Sequence, residues 1–326
     1  MEVIGPSLRE DPVQEALAAE TAGFSGVRVV DHFVSEGSSG RLAGCPHAFV
    51  TLAAAAAVTR SVTLTETVMS AGFRHPVELA QATGSLDRIS GGRAELGLGA
   101  GWRRSEYAAV GLPFLEPRQR IVQVLEAAAI ARQMFRQDGC VAFRGTMFTA
   151  QLDAPWSPLS HVPDVVIGVS SLGFMRKAAA AADRVDIIHV IRDEAPCLDE
   201  AHRTTKQRMQ RLLDAGRAAA GAAQRSAKFS ASVFASLSTD EAEVARRREA
   251  LAAASGAEVQ WLDDELLYVV GRPQQLLDSV AVLASLGIDR VTITLRPRGD
   301  PAGTDALLSM VGELRKVEIV AETKVG

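Results

Sequence analysis

The stretch that decides the fold runs from Ile89 to Tyr107 and reads I-S-G-G-R-A-E-L-G-L-G-A-G-W-R-R-S-E-Y. Its segment Arg93 to Leu98 is apolar and bounded by turn-forming residues, which predicts a buried β-strand. Glycines open the end of this strand at alternate positions, namely Gly97, Gly99 and Gly101. A backbone without Cβ atoms can approach a flat ligand or an anion closely, so we predict a binding site here. A tight turn that needs small residues for packing is the alternative.

The glycine spacing argues against one common cofactor. It reads G-x-G-x-G, whereas the dinucleotide-binding fingerprint reads G-x-G-x-x-G. No acidic residue follows a second strand about twenty residues further on, where a nicotinamide cofactor needs a ribose contact. We therefore do not expect a nicotinamide dinucleotide at this strand end.

Outward from this strand, apolar runs alternate with helical patterns about eight times, without long blocks of either type. The alternation predicts an α/β fold with a parallel sheet, and the count favours a (β/α)8 TIM barrel over an open doubly wound sheet. The predicted strands are Glu2–Gly5, Gly26–Val30, Val62–Met69, Arg93–Leu98, Val165–Val169, Val185–Val190, Lys228–Ala235 and Arg290–Leu295. We expect the 326 residues to form a single domain, 1–326.

One segment breaks the alternation. Residues 137–163 carry scattered apolar side chains, such as Val141, Phe143 and Phe148, among prolines and glycines. This pattern predicts an insertion that forms a small hairpin and a cover over the barrel.

The composition argues against several classes of protein. A formal net charge of −4 gives no basic surface for nucleic acid. The chain starts without a basic and apolar leader, and its longest apolar run is too short to span a bilayer, so we expect a cytoplasmic protein without a membrane partner. The three cysteines and six histidines lie at spacings that favour neither a disulfide framework nor a metal site.

The functional site of a (β/α)8 barrel lies at the carboxyl ends of its strands. Five predicted strands are followed there by polar or glycine-rich positions, which are Asp31-His32, Thr67-Val68, Gly99 to Trp102, Ser170-Ser171 and His189. An imidazole can give or take a proton near neutral pH, so we predict that His32 does acid–base chemistry and that the adjacent Asp31 orients its ring. A purely structural histidine is the alternative.

Five stretches of the chain occur in an order that is specific as a set. They read V-V-D-H-F at 29–33, F-R-H-P-V-E-L-A at 73–80, L-D-R-I-S-G-G-R-A-E-L-G-L-G-A-G-W-R-R-S-E-Y at 86–107, G-L-P-F at 111–114 and Y-V-V-G-R-P-Q-Q-L at 268–276. Together they resemble the bacterial luciferase-like superfamily, and within it the branch that uses the deazaflavin coenzyme F420. The resemblance covers nearly the whole chain.

The resemblance implies a (β/α)8 barrel, commonly a homodimer, that holds a flavin or deazaflavin ring at its mouth. Superfamily members carry a non-prolyl cis peptide bond beneath the central ring, and the matching bond here is Thr67–Val68. The open main chain at Gly99 and Ala100 is then expected beside the ring.

The loop after the fifth strand matches the position at which relatives bind the cofactor phosphate through main-chain amides. Its residues are Gly168, Val169, Ser170 and Ser171. Hydroxyl groups at the start of a helix suit an anion, and the same serines also suit a helix N-cap.

The remaining site residues are also assigned by the resemblance. The Asp-His pair of the family matches Asp31 and His32, which supports their assignment as catalytic residues. Trp102 and Glu106 are expected to shape the roof of the substrate pocket, and His189 to line its substrate side.

The chain departs from the family at three places. Relatives that oxidise sugar phosphates with F420 carry a glutamate where Trp102 stands, so that substrate class is disfavoured. Glu66 replaces the small or hydroxyl residue that is usual before the cis bond, and the segment V-S-S-L-G at 169–173 is poorer in glycine than in most relatives.

We therefore predict an F420-dependent oxidoreductase that transfers a hydride from reduced deazaflavin to an activated C=C or C=N bond of a small molecule. The protein would supply orientation and electrostatics, because the cofactor carries the redox chemistry. One alternative is a luciferase-like monooxygenase that uses FMN and dioxygen, and another is a non-catalytic flavin-binding protein.

Overall fold

The computed structural model describes residues 1–8, 11–36, 42–136, 140–153, 161–192, 195–199, 202–296 and 300–317. Within these residues eight parallel strands follow one another around a central barrel. They are β1 Glu2–Ser7, β2 Gly26–Val29, β3 Thr63–Glu66, β4 Glu95–Gly99, β5 Asp164–Val169, β6 Arg184–Ile187, β7 Lys228–Leu237 and β8 Arg290–Leu295.

Each strand pairs with the next in parallel, and β1 pairs with β8. The step from β3 to β4 is the weakest, because it consists of a single parallel bridge between Leu64 and Ala94. Just beyond it the short strand Met69–Ser70 pairs with the end of β4. The ring of strands confirms the predicted (β/α)8 barrel.

Helices surround the strands. They are α1 Pro12–Ala22, α2 Ala48–Val58, α3 Pro76–Ser90, α4 Arg104–Ala109, α5 Pro117–Phe135, α6 Leu172–Ala179, α7 Lys206–Ala222, α8 Glu241–Ser255, α9 Pro273–Ser285 and α10 Pro301–Lys316. Several begin with proline, whose missing N–H costs nothing in the first turn. None of the described helices combines the length and apolar content needed to cross a bilayer.

The turn before β4 explains the S-G-G-R part of the deciding stretch. Gly91 and Gly92 have φ angles of +72° and +91°, a region that residues with a Cβ adopt at a cost. This turn places the Arg93 guanidinium against the end of α2. It donates to the carbonyl oxygens of Thr59 at 3.1 Å and Val62 at 2.8 Å. Arg93 therefore ties α2 to the start of β4.

Charged side chains occupy the barrel at the beginnings of its strands. Arg290 donates to both oxygens of Glu95, at 2.8 and 2.7 Å, and to Glu2 at 2.6 Å. Arg184 pairs with Asp289 and lies 3.7 Å from Glu2. Paired charges therefore occupy this end of the barrel, and the carboxyl ends of the strands form the opposite end, the mouth.

The insertion contains the predicted hairpin, formed by Val141–Arg144 and Thr149–Leu152. Glu126 of α5 holds its turn by accepting hydrogen bonds from the backbone N–H groups of Thr146, Met147 and Phe148, at 2.7, 2.9 and 2.9 Å. The rest of the predicted cover, residues 137–139 and 154–160, lies outside the described residues.

The sequence pattern did not predict the strand Tyr268–Gly271. It pairs with the outer end of β7, where Phe234 lies opposite Tyr268. The segment is short, and periodicity alone does not separate such a run from a loop.

Candidate active site

The floor of the mouth is built around the end of β3. The Thr67–Val68 peptide bond is cis, as the resemblance predicted. The Val68 side chain lies directly over two glycines of neighbouring strands. A Cβ on Gly99 would overlap Val68 Cγ2, and a Cβ on Gly168 would come within 2.9 Å of it.

Gly97 has a similar role one step deeper, because a Cβ there would overlap the carbonyl oxygen of Glu66. The packing alternative therefore accounts for Gly97 and Gly99, which make room for the chain that leaves β3. The predicted contacts of Gly99 and Ala100 with a cofactor stay a prediction.

Arg28 is a residue of this floor that the sequence analysis missed. It is buried in β2, and its Nη1 donates to the Thr67 hydroxyl at 2.8 Å. Its Nη2 donates to the hydroxyl of Thr294 in β8. Arg28 therefore links the carboxyl end of β3 to that of β8 and supports Thr67. The signal that could have identified it is a single arginine within the apolar strand G-V-R-V.

Glu66 is fully buried, with 0% of its surface exposed. Its Oε2 accepts a hydrogen bond from the Gly97 N–H at 3.1 Å, while Oε1 has no hydrogen-bond partner in the described part of the chain. Burial raises the pKa of this carboxyl group to about 8, and the nearby carboxylates Asp31 and Glu95 add to the shift. Glu66 is therefore a neutral acid at pH 7.

His32 is held by a carboxylate that is distant in sequence. Its Nδ1 lies 2.7 Å from Oε2 of Glu106, a residue of α4. The other oxygen, Oε1, accepts from the backbone N–H groups of Phe33 at 2.9 Å and Val34 at 3.2 Å. Both oxygens of Glu106 are thus engaged by the loop that follows β2.

Burial raises the pKa of the Glu106 carboxyl, but the hydrogen bond and charge of His32, the Val34 N–H and the charge of Arg103 outweigh it. The net pKa lies below the usual range, so Glu106 is ionised.

Asp31 does not orient the imidazole, contrary to the expectation from the adjacent positions. Its two oxygens accept from Nη1 of Arg74 at 2.9 and 2.7 Å, and the residue is buried. Successive side chains of an extended segment point to opposite sides, so Asp31 and His32 reach different partners. An acid–base role for His32 is consistent with its place at the mouth and stays a prediction.

Trp102 lies against His32, with ring centroids 5.8 Å apart in an edge-to-face arrangement. The guanidinium of Arg103 lies 4.5 Å from the centre of the Trp102 ring, and it donates to the Val34 carbonyl at 2.8 Å. The segment after β4 therefore contacts the loop after β2 through Trp102, Arg103 and Glu106. This brings three predicted site residues, His32, Trp102 and Glu106, together.

Aromatic side chains pack next to these two loops. Tyr107 is buried, hydrogen-bonds the Ser70 hydroxyl and contacts Phe73 at a centroid distance of 4.7 Å. Arg120 donates to the carbonyl oxygen of Gly101, which has a φ of +69°.

The loop after β5 has the features expected of an anion site. The Ser171 side chain caps α6 by accepting from the Phe174 N–H at 3.4 Å. Arg208 of α7 donates to the Ser170 carbonyl at 3.3 Å, which brings a cation to the start of α6. Arg208 is a second residue that the sequence analysis missed, because no local pattern connects α7 to this loop.

His189 is engaged away from the His32 cluster. Its Nε2 lies 2.9 Å from Oε1 of Glu265, and only 3% of the residue is exposed. Thr204 donates to both oxygens of the same carboxylate, through its hydroxyl and at 2.7 Å through its N–H. This geometry favours a role in joining two loops, and contact with a substrate stays a prediction.

Burial and hydrogen bonding act in opposite directions on the pKa of Glu265. Burial raises it, but the charge and hydrogen bond of His189 and the donors of Thr204 outweigh burial and lower it. Across the described residues there is no group of three or more His, Cys, Asp or Glu side chains suited to hold a metal ion.

Comparison with known proteins extends the similarity over most of the chain. A sequence model of the family described as luciferase-like monooxygenase matches residues 8–290. This chain is similar to two curated F420-dependent glucose-6-phosphate dehydrogenases. It is 34% identical to that of Intrasporangium calvum over 154 residues and 32% identical to that of Amycolatopsis mediterranei over 148 residues. The alignments cover 45% of this chain in each case, and 45% and 43% of the relatives, so the chain spans just under half of their length.

Solved structures share the architecture. An F420-dependent secondary alcohol dehydrogenase in complex with an F420–acetone adduct superposes with a TM-score of 0.79 at 17% identity, over 97% of this chain and 100% of the other. A monooxygenase from Streptomyces bottropensis superposes with a TM-score of 0.69 at 23% identity, over 96% and 98%. At these identities the superpositions support the barrel fold alone.

Proposed function

Because the chain belongs to the luciferase-like monooxygenase family, we propose that it is an F420-dependent oxidoreductase acting on an activated C=C or C=N bond of a small molecule. The observation that carries the proposal is the arrangement at one barrel mouth, where Val68 forms the floor and Glu106 holds His32 at the rim. The names of the curated relatives support the choice of F420.

The residues of the mouth suit a flat ring with an anionic tail. Val68 offers an apolar surface for the ring. At the start of α6, the main-chain amides of the first turn, the hydroxyls of Ser170 and Ser171 and the charge of Arg208 suit a phosphate. Gly168 and Val169 are the last two residues of β5, which leads into this loop.

Reduced F420 supplies a hydride, and the reduction of a C=C or C=N bond is completed by one proton. His32 is placed to deliver this proton as an imidazolium, whose Nδ1–H donates to Glu106 and whose Nε2–H is left for the substrate. Solvent is the other source of the proton. Trp102 packs edge to face against the ring of His32.

The residues at the rim of the mouth favour a substrate that is not a sugar phosphate. Trp102 stands where the relatives that oxidise sugar phosphates carry a glutamate. Phe33 and Val34, both partly exposed beside it, add apolar surface. We therefore propose an apolar or aromatic acceptor instead of the substrate named for the curated relatives.

An FMN-dependent monooxygenase is the second candidate function. The description of the family favours it. A non-catalytic flavin-binding protein is the third candidate, and it would bind a cofactor without turnover.

Cofactor titration separates these functions. Purified protein is titrated with F420 and with FMN while fluorescence is followed, and reduced F420 is then supplied with a panel of enones and imines. We expect binding of F420 and its reoxidation by at least one acceptor. Tight binding of FMN without a response to F420 would favour the monooxygenase, and bound cofactor with no turnover would favour the non-catalytic protein.

A pair of arginine variants tests the phosphate position. Arg208→Ala is expected to weaken F420 binding by about tenfold, which is ~1.4 kcal/mol, because it removes the cation beside Ser170. Arg211→Ala, an exposed position on the same helix, serves as the matched control. Equal affinities of the two variants would contradict this placement of the phosphate.

A further inference from the structure

The buried carboxylate of Glu106 makes all its recorded hydrogen bonds to the loop that follows β2. Glu106 and His32 are 74 residues apart, and their side chains meet at 2.7 Å. Glu106 is only 2% exposed, and its second oxygen binds the N–H groups of the two residues that follow His32. One side chain thus fixes both the imidazole and the backbone that carries it.

The protonation state of the carboxylate decides the direction of the hydrogen bond. An ionised carboxylate only accepts, so the ring nitrogen facing Glu106 must carry a proton. Arg103, which donates to Val34, provides a nearby positive charge that favours the ionised form. The other nearby carboxylate, Asp31, is taken up by Arg74 and does not compete for the ring.

A second contact restricts the orientation of the His32 ring. Trp102 meets it edge to face at 5.8 Å, and the side chain of His32 keeps 20% of its surface exposed. Since Nδ1 is occupied by Glu106, the nitrogen left for a reacting partner is Nε2.

We propose that Glu106 is a positioning residue, which holds the proton of His32 on Nδ1 so that Nε2 exchanges protons with the substrate. This inference rests on the proposed function for its role in catalysis. The tautomer itself is a property of the protein without cofactor, and it can be measured independently.

The Glu106→Gln substitution is the sharpest test, because it keeps the shape and reverses the hydrogen bond. The amide oxygen still accepts from the N–H groups of Phe33 and Val34. The amide NH2 donates to Nδ1, which forces the ring proton onto Nε2. The variant therefore changes the tautomer with little change in packing.

The measurement is long-range ¹H–¹⁵N NMR of histidine-labelled, cofactor-free protein, at a pH at which the ring is neutral. The His32 signals are assigned from their loss in His32→Gln. We expect the proton on Nδ1 in the unsubstituted protein and on Nε2 in Glu106→Gln. Thermal unfolding and F420 titration of each variant follow folding and cofactor binding.

Three results would overturn the proposal: a proton on Nε2 in the unsubstituted protein, a mixture of both tautomers there, or the same tautomer in folded Glu106→Gln. The first two do not need Glu106→Gln, so they decide the matter even if that variant does not fold. Failure of the proposed function is distinguishable, since it would leave the Nδ1 tautomer in place and abolish only the response to F420.

Discussion

At the scale of single residues, the mouth depends on which positions lack a side chain and which carry a charge. Gly99 and Gly168 lie beneath Val68, and neither can carry a Cβ without moving it. The charged residues divide into pairs, Asp31 with Arg74 and His32 with Glu106.

The first prediction concerns Gly99→Ala. The new methyl group would overlap Val68 Cγ2, and such overpacking costs ~1–3 kcal/mol of unfolding free energy. We expect lower stability in urea unfolding and weaker cofactor binding. Gly312→Ala is the control, because its position in α10 is exposed with no atom within 4 Å, and alanine favours a helix. Equal stability of the two variants would show that Val68 yields easily.

The second prediction concerns the pH dependence of stability. The pKa of Glu66 is about 8 in the folded protein against an ordinary value of 4.5, so the folded state keeps a proton that the unfolded state releases between these values. Stability from this group therefore falls as the pH rises from 4.5 to 8 and is constant above that. Each pKa unit corresponds to ~1.4 kcal/mol.

Glu66→Gln removes this dependence, because the amide stays neutral and still accepts from the Gly97 N–H. We expect the melting temperature of Glu66→Gln minus that of the unsubstituted protein to increase as the pH rises from 5 to 8. Differential scanning fluorimetry measures both temperatures. Parallel curves for the two proteins would mean that Glu66 is already ionised at neutral pH.

At the scale of elements, single side chains join segments that the chain separates. Arg93 ties the end of α2 to the start of β4, and Glu126 of α5 holds the turn of the inserted hairpin. Glu265 joins the loop of His189 to that of Thr204. In each case one multivalent group satisfies several backbone or side-chain partners at once.

The third prediction follows from the role of Glu126. Burial raises its pKa, but the hydrogen bonds from Thr146, Phe148 and Met147 together outweigh burial and lower it. Glu126→Ala leaves these N–H groups without their acceptor. We expect faster amide exchange at residues 146–148, measured by mass spectrometry, with the barrel strands unchanged. Unchanged exchange at the turn would show that the hairpin is held by its own pairing.

At the scale of the whole molecule, the outer surface bears on assembly. Helix α2 is apolar at every position except Thr51, yet Val50 is 69% exposed. An amphipathic surface helix normally turns polar residues outward, so this composition suits a covered face. The resemblance to the family implies a homodimer, and we propose that α2 lies at its interface.

The fourth prediction tests this assembly by light scattering after gel filtration. We expect a dimer for the unsubstituted protein and a shift towards the monomer for Val50→Glu, since a buried charge without a partner disfavours the interface. Val259→Glu, at an exposed valine elsewhere, is the control. A monomer in both proteins, or a dimer that Val50→Glu leaves intact, would contradict the proposal.

The sequence by itself determined the barrel, because strand and helix periodicity, together with proline and glycine at element ends, are local properties of the chain. It also located the mouth, since the residues after each strand must meet at one end of a parallel barrel. The resemblance to the family added the cis bond between Thr67 and Val68, which the structure contains.

Only the tertiary structure decided which side chains meet. His32 binds Glu106, 74 residues away, and not its neighbour Asp31. Gly97 and Gly99 make room for the end of β3, and Arg28 reaches Thr294, 266 residues away. The physical reason is that adjacent side chains in an extended chain point to opposite faces, whereas the closed ring of strands brings distant residues to one centre.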